Sequence, residues 1–492
     1  MGSNANASLS QSEVRHLLRR TGFGAAADKA QTIFKNYSTR GKAADYLLNF
    51  KPAKFKPGGN DIDRVRNSWI KYMLTVKAPL QEKLVLFWHD HFATGNDKVQ
   101  NQKLMASQNR LLRQFCKGDF KAFVKAINKD AAMMEYLDTV RNHKHQPNEN
   151  YARELQELFT LGVKDLNGNS NYTQDDIVQI ARAFSGWDYD RKGVAVFDSG
   201  QHDTTGEFPE RGPKVIYATT GGFGSGGRDY TQPAGEGPAE IDQVIDVIFQ
   251  HTDSNGKNTV ARYIAKKLFT YLANATPTTA VVDTLVADSQ FDATFDITAL
   301  VRAIIINDAF YETAAAAPFT AATKKSVKWP ADYVITTLRL LGMKLKGSDQ
   351  HINFSSGTPA QDYLSNMGQI LLEPPSVFGW DWETSWLSSS TLLARYQFAT
   401  DIIAARGTGS TSFRPEKLID LTLTDPGAIV DAVTGILGVT DQLSAADRSA
   451  LITYLTDGNP SASVNLNDQN FRTLKLNGLF GLVLQSPAYQ LH

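Results

Sequence analysis

Pro147-Asn148-Glu149-Asn150-Tyr151-Ala152-Arg153-Glu154-Leu155-Gln156-Glu157-Leu158-Phe159-Thr160-Leu161-Gly162 carries its own start and stop signals. Pro147 cannot continue an earlier helix, Asn148 can accept from the first free backbone N–H groups, and Gly162 supplies an end. The spacing predicts a helix of about three turns. Tyr151, Leu155, Leu158 and Phe159 share one stripe; at about 100° per residue Glu154 lies at its edge, and Glu149 and Arg153 fall nearly opposite. Glu154 is therefore expected to be at least half buried. It would need a cation, a metal or several donors beside it, because an unpaired buried charge costs several kcal/mol. The simpler alternative is an ordinary amphipathic helix with a Glu149–Arg153 surface pair one turn apart.

The same period recurs on both sides. Ser10-Gln11-Ser12-Glu13 is a capping box opening a helix through Val14, Leu17 and Leu18 to Thr21-Gly22. A weaker helix is expected at 32–50, then a polar loop at 51–60 and a long buried helix from Pro79 to about Phe92. Helices come next at about 101–116, 119–128 and 130–138, and Thr173-Gln174-Asp175-Asp176 caps another that Gly186 closes. Residues 187–238 change character, rich in Gly, Asp and Thr, and read as a loop region with a short hairpin or two. From Ile241 the helical period returns, with polar connectors at 405–414 and 457–468.

Composition removes several function classes. Lys plus Arg and Asp plus Glu both number 51 in 492 residues, and there is no dense basic run, so nucleic acid is not an expected partner. No stretch approaches the roughly 18 apolar residues that span a bilayer. The opening Met-Gly-Ser and the residues to position 9 have neither basic nor apolar leader character and read as a cloning remnant or linker. Cys116 is the only cysteine, which excludes an internal disulfide and a CxxC metal site and reads as a small core residue.

Chemistry-bearing residues gather in a few blocks. In the Pro79 helix, Leu80, Leu84, Phe87, Trp88 and His91 share one face, while Glu82, Val85 and His89 share another. His89 and His91 then diverge by about 200° and converge only if the helix ends near His89, which Ala93-Thr94-Gly95 permits. Each histidine reads equally well as a satisfied core residue. Residues 374–386 place three of the seven tryptophans in one Pro-led loop, suited either to stacking on a flat ligand or to sealing a core. The glycine-rich 221–227 loop lacks a Gly-Lys-Ser/Thr ending and is no phosphate loop.

These blocks support two readings. In the first, Asp90, Glu149, Arg153 and Glu154 are catalytic, Trp187, Trp380 and Trp386 stack on a sugar substrate, and His89, His91, Glu157 and His202 are metal ligands. Imidazoles plus a carboxylate suit zinc, manganese or iron; a metal-free version keeps two carboxylates as general acid and base. In the second, the same residues form a buried polar network in a non-catalytic binding or assembly protein. Whether Glu154 faces a solvent-connected cavity shared with His89 or His91 separates them.

His16-Leu17-Leu18-Arg19-Arg20-Thr21-Gly22-Phe23-Gly24, Trp88-His89-Asp90-His91-Phe92-Ala93-Thr94, residues 147–162, Ala183-Phe184-Ser185-Gly186-Trp187, His202-Asp203, residues 374–386, residues 389–395 and Leu484-Gln485-Ser486-Pro487-Ala488-Tyr489 occur in this order. Together they resemble the large bacterial family catalogued as DUF1800, a domain of unknown function. Length alone suggests two to four domains. The resemblance instead implies a mainly α fold, one large multi-helix domain over 10–492, with the irregular Gly-rich, short-hairpin insertion at about 187–238. It also implies an exported protein, periplasmic or secreted, with a DUF1501-type protein of alkaline-phosphatase-like character as a neighbour and possible partner. The family's usual His-Asp-x-x-x-Lys pattern departs here, since Glu207 follows Gly206 and the nearest lysine is Lys214. The resulting expectation is an exported hydrolase with a His/carboxylate site, metal-assisted or not, acting on an extracellular or periplasmic substrate such as a polysaccharide.

Overall fold

The helix Pro79–His91 is buried along its whole length. Pro79 stands at its first turn, where a missing N–H costs nothing, and Phe92 closes it. Two of its charged residues reach into neighbouring helices. Glu82 accepts from Arg113 at 2.8 Å, on the helix Gln102–Gln114, and from Trp69 Nε1 at 3.0 Å, on the helix Ile62–Thr75. Lys83 donates to both oxygens of Asp332 at 2.7 and 2.8 Å, on the helix Pro330–Leu340. Both charges are paired and hydrogen-bonded, as their burial requires.

A computed structural model describes residues 2–58, 61–313, 325–344, 358–405, 412–459 and 463–492. Around the central helix the chain builds a mainly α, single-domain protein in which one hydrophobic core runs from Leu9 to Leu491. Among the described residues the sheets are two hairpins, Trp187–Tyr189 paired with Ala195–Phe197 and Val215–Ile216 paired with Arg228–Asp229, both inside the 187–238 insertion. Among the described residues no helix is long and apolar enough to cross a membrane. The end of the chain folds back, Lys328 N donating to Gln490 O at 2.9 Å.

The expected capping box forms at Ser10/Glu13, and the cap expected at Thr173 is itself a capping box, closed by Asp176. The helix expected at 32–50 is instead two, Ala27–Asn36 and Arg40–Leu48. The chain between them is drawn out to pair Thr39 with Ser8, and Leu9 N donates to Ser38 O at 2.8 Å. Residues 2–9, expected to be a remnant or linker, are hydrogen-bonded into the body, for example Asn4 N to Ile306 O at 3.0 Å. A further helix, Ile62–Thr75, is capped by Asp61 where the sequence periodicity gives no expectation. The expected connectors at 405–414 and 457–468 lie partly outside the described residues.

The 147–162 stretch departs from the regular helix expected of it. It is α-helical over Asn150–Glu154 and then widens into a π-helix over Leu155–Thr160, before Gly162 turns out at φ +77°. A π turn inserts residues relative to the α repeat and rotates the side chains beyond it. Tyr151, Leu155 and Phe159 still face the core, while Glu157 and Leu158 are partly exposed.

Candidate functional site

That rotation brings Glu157 and Leu158 to the wall of a solvent-connected cleft of about 850 Å³. The helix Thr259–Leu272 supplies Tyr263 and Lys267, the loop 374–386 supplies Phe378, Trp380, Asp381 and Trp382, and Asp90, from the end of the central helix, also lines it. Tyr263 donates through its hydroxyl to Leu158 O at 3.1 Å, and Tyr172 donates to Glu157 Oε2 at 2.9 Å, so the π turn is held from two sides.

Asp90 is 2% exposed. Its Oδ1 accepts from Trp380 N at 2.7 Å and its Oδ2 from Trp382 Nε1 at 3.0 Å. Burial pushes its carboxyl up to about 7, and the charge of Asp381 adds to the shift; Lys267 and the two donated hydrogen bonds oppose it only in part. The loop reaches this carboxylate through Gly379, at φ +83°, where a Cβ would lie 2.4 Å from Asp90 Oδ1. Only glycine fits. Burial lowers the Lys267 ammonium to about 8 against the pull of Asp90.

Above Asp90 the wall is aromatic. Trp380 meets the His89 ring edge-on at 5.3 Å and Trp329 at 6.2 Å; Trp382 packs on Trp329 at 5.7 Å and Tyr271 at 6.0 Å. Phe378, 66% exposed, stands at the rim. Trp386 is buried behind this wall, 5.8 Å from Trp329, and does not line the cleft.

Asp90, Glu157 and Trp380 are thus the sequence-selected residues that the fold brings together. The others lie elsewhere. The helix continues regularly through His91, so the two histidines diverge. His89 is wedged between Trp69 and Trp380 with both ring nitrogens lacking a protein partner, and burial drives it down to about 3. His91 meets Phe159 O at 3.1 Å and stacks on Phe87. His202 lies in a separate network. The expected ligand set of His89, His91, Glu157 and His202 is therefore not assembled, and among the described residues no three His, Cys, Asp or Glu groups are placed to hold an ion. Glu149 and Arg153 pair at 3.0 Å on the surface, where both also bond Gln174. Glu154 has a buried, unpartnered Oε2, and burial together with Glu157 raises it to about 7, but it is not among the residues lining the cleft. Trp187 packs on Phe197 within the first hairpin.

The lining residues that the sequence reading does not single out include Tyr263, Lys267, Asp381 and Trp382. Tyr263, Lys267 and Thr270 follow an i, i+4, i+7 spacing, a polar stripe on an otherwise apolar helix, and that signal was available. Asp381 and Trp382 sat inside the tryptophan loop.

His202-Asp203 has a different setting. His202 Nδ1 lies 2.8 Å from Ser185 O and Nε2 3.1 Å from Glu240 Oε1. Lys214 donates to Glu240 at 2.8 and 2.9 Å and to Asp203 O at 2.5 Å, while Arg182 donates to Asp203 at 2.9 Å. Lys214 thus comes to the His-Asp pair despite its later position in the chain. His202, Asp203, Lys214, Glu240 and Arg182 are all buried, and each has a polar partner within the network.

A family model described as "Protein of unknown function (DUF1800)" matches residues 16–491. No curated protein and no solved structure matches the chain.

Proposed function

The chain belongs to the DUF1800 family, and from that premise we propose that it is a saccharide hydrolase working outside the cytoplasm, with Asp90 as general acid. The observation that carries this reading is a desolvated carboxyl, held up at about 7, lining an open cleft beneath an aromatic wall. Such a group keeps a proton at neutral pH and can deliver it to a leaving glycosidic oxygen. Asp381, exposed and without a protein hydrogen-bond partner among the described residues, is the carboxylate available to take a proton from the attacking water. Asp90 would give its proton as the glycosidic C–O bond breaks; the water oxygen bonds the sugar carbon, and Asp381 returns the second proton to solvent or to Asp90. Trp382 and Phe378 offer flat apolar faces for sugar rings.

Release of reducing ends from a polysaccharide panel tests this. Asp90→Asn is expected to lower turnover about 100-fold or more with the fold intact; wild-type turnover in that variant would sink the reading. The paired His202 network favours a second reading for that part of the chain, a structural role in a binding or assembly protein. There the cleft would bind saccharide without turnover in either protein.

A further inference from the structure

The proposed mechanism leaves one group in the cleft without work, the Lys267 ammonium. Strongly buried cations elsewhere in the molecule have acceptors: Lys83 has Asp332 at 2.7 Å, Lys214 has Glu240 at 2.8 Å, and Lys328 has Tyr489 O at 2.6 Å. Lys267, half-buried in the wall of the cleft, has no such acceptor. Among the described residues it makes no hydrogen bond and no ion pair, its nearest recorded contact being the Tyr263 ring at 5.6 Å. A partly desolvated ammonium without a bonded counter-charge is costly, and an anion brought by a ligand lowers that cost.

Asp90 pulls on this ammonium from across the cleft, but among the described residues no carboxylate pairs with it, and Asp381 at the rim is exposed to solvent. Asp90 is held by Trp380 and Trp382, and Glu157 by Tyr172. Asp165 is turned into its own loop, accepting from Asn167 N at 2.8 Å and Asn169 N at 2.9 Å. Lys164 and Lys266, both exposed, line the same cleft and add positive potential.

We propose that Lys267 is the anion receptor of the cleft and that the ligand taken there is an acidic saccharide, bearing a carboxylate or a sulfate ester. The proposal rests on the saccharide reading and adds the class of sugar. A uronate carboxylate and a sulfate ester present the same charged oxygens to an ammonium, and binding data separate them.

The test is calorimetric titration of the full chain with neutral oligosaccharides, their uronate counterparts and their sulfated counterparts. The wild-type chain is expected to bind at least one acidic series about tenfold tighter than the neutral one, a preference that added salt weakens. The preferred series identifies the anion. Lys267→Gln should still bind but lose the preference, and Lys267→Arg should keep it. Equal binding of neutral and acidic series by the wild-type chain, or an undiminished preference in Lys267→Gln, overturns the proposal and leaves the saccharide reading standing. Failure of every series to bind overturns both.

Discussion

At Asp90 two demands meet in one carboxyl, since the group that lines the cleft also receives both hydrogen bonds that fasten the tryptophan loop. Its proton affinity sets the pH behaviour. Turnover is expected to fall as pH rises through about 7, where the acid form is lost. Stability follows the same proton. The folded group titrates near 7 and the unfolded one near 3.8, so between these values the folded chain holds more protons and stability declines as pH rises. The decline is of order 4 kcal/mol at most. Asp90→Asn abolishes this titration. Its melting temperature relative to wild type should therefore climb between about pH 4 and about pH 7, around a constant offset because the new amide faces the Trp382 N–H. Arg153 contrasts with it. Its pair with Glu149 is 40% and 36% exposed, and Arg153→Ala should shift stability by less than about 1 kcal/mol in denaturant titration.

At the scale of elements, the approach of loop to helix depends on backbone that only glycine allows. Gly379→Ala would drive a methyl group into Asp90 at a φ that L residues avoid, and is expected to cost about 1–3 kcal/mol and most of the turnover. Gly162→Ala would press on the Tyr263 ring at 2.8 Å and unseat the π turn. The buried network answers differently: Lys214→Met leaves Glu240 and His202 uncompensated and should destabilise by about 3–5 kcal/mol in thermal melts, without a specific effect on saccharide affinity. These elements also show what a sequence can convey. Caps are local chemistry, so Ser10, Thr173 and Pro79 announced their helices. The divergence of His89 from His91 came from helical geometry alone. The π turn has no local signature, because a sixth residue in a turn is chosen by what packs beside it, here Tyr172 and Tyr263. Lys214 lies beyond the expected spacing and meets His202 only through the 187–238 insertion. Glu154 is partly buried, as its place on the stripe implies, but the stripe cannot say which neighbours line a cavity.

Across the whole molecule, one core joins residues near both ends of the chain, and the resemblance-based expectation of a single helical domain is what the structure shows. The helix Pro79–His91 lies within that core with no exposed residue. Its amide protons are therefore expected to trade with solvent deuterium mainly through opening of the whole fold. In native-state exchange measured by mass spectrometry, peptides from this helix should label last and at a common rate, while those from the exposed turn of the 187–197 hairpin label early. The slowest helix then serves as an internal clock for global opening, and because Asp90 sits near its end, that clock should run faster as the carboxyl loses its proton.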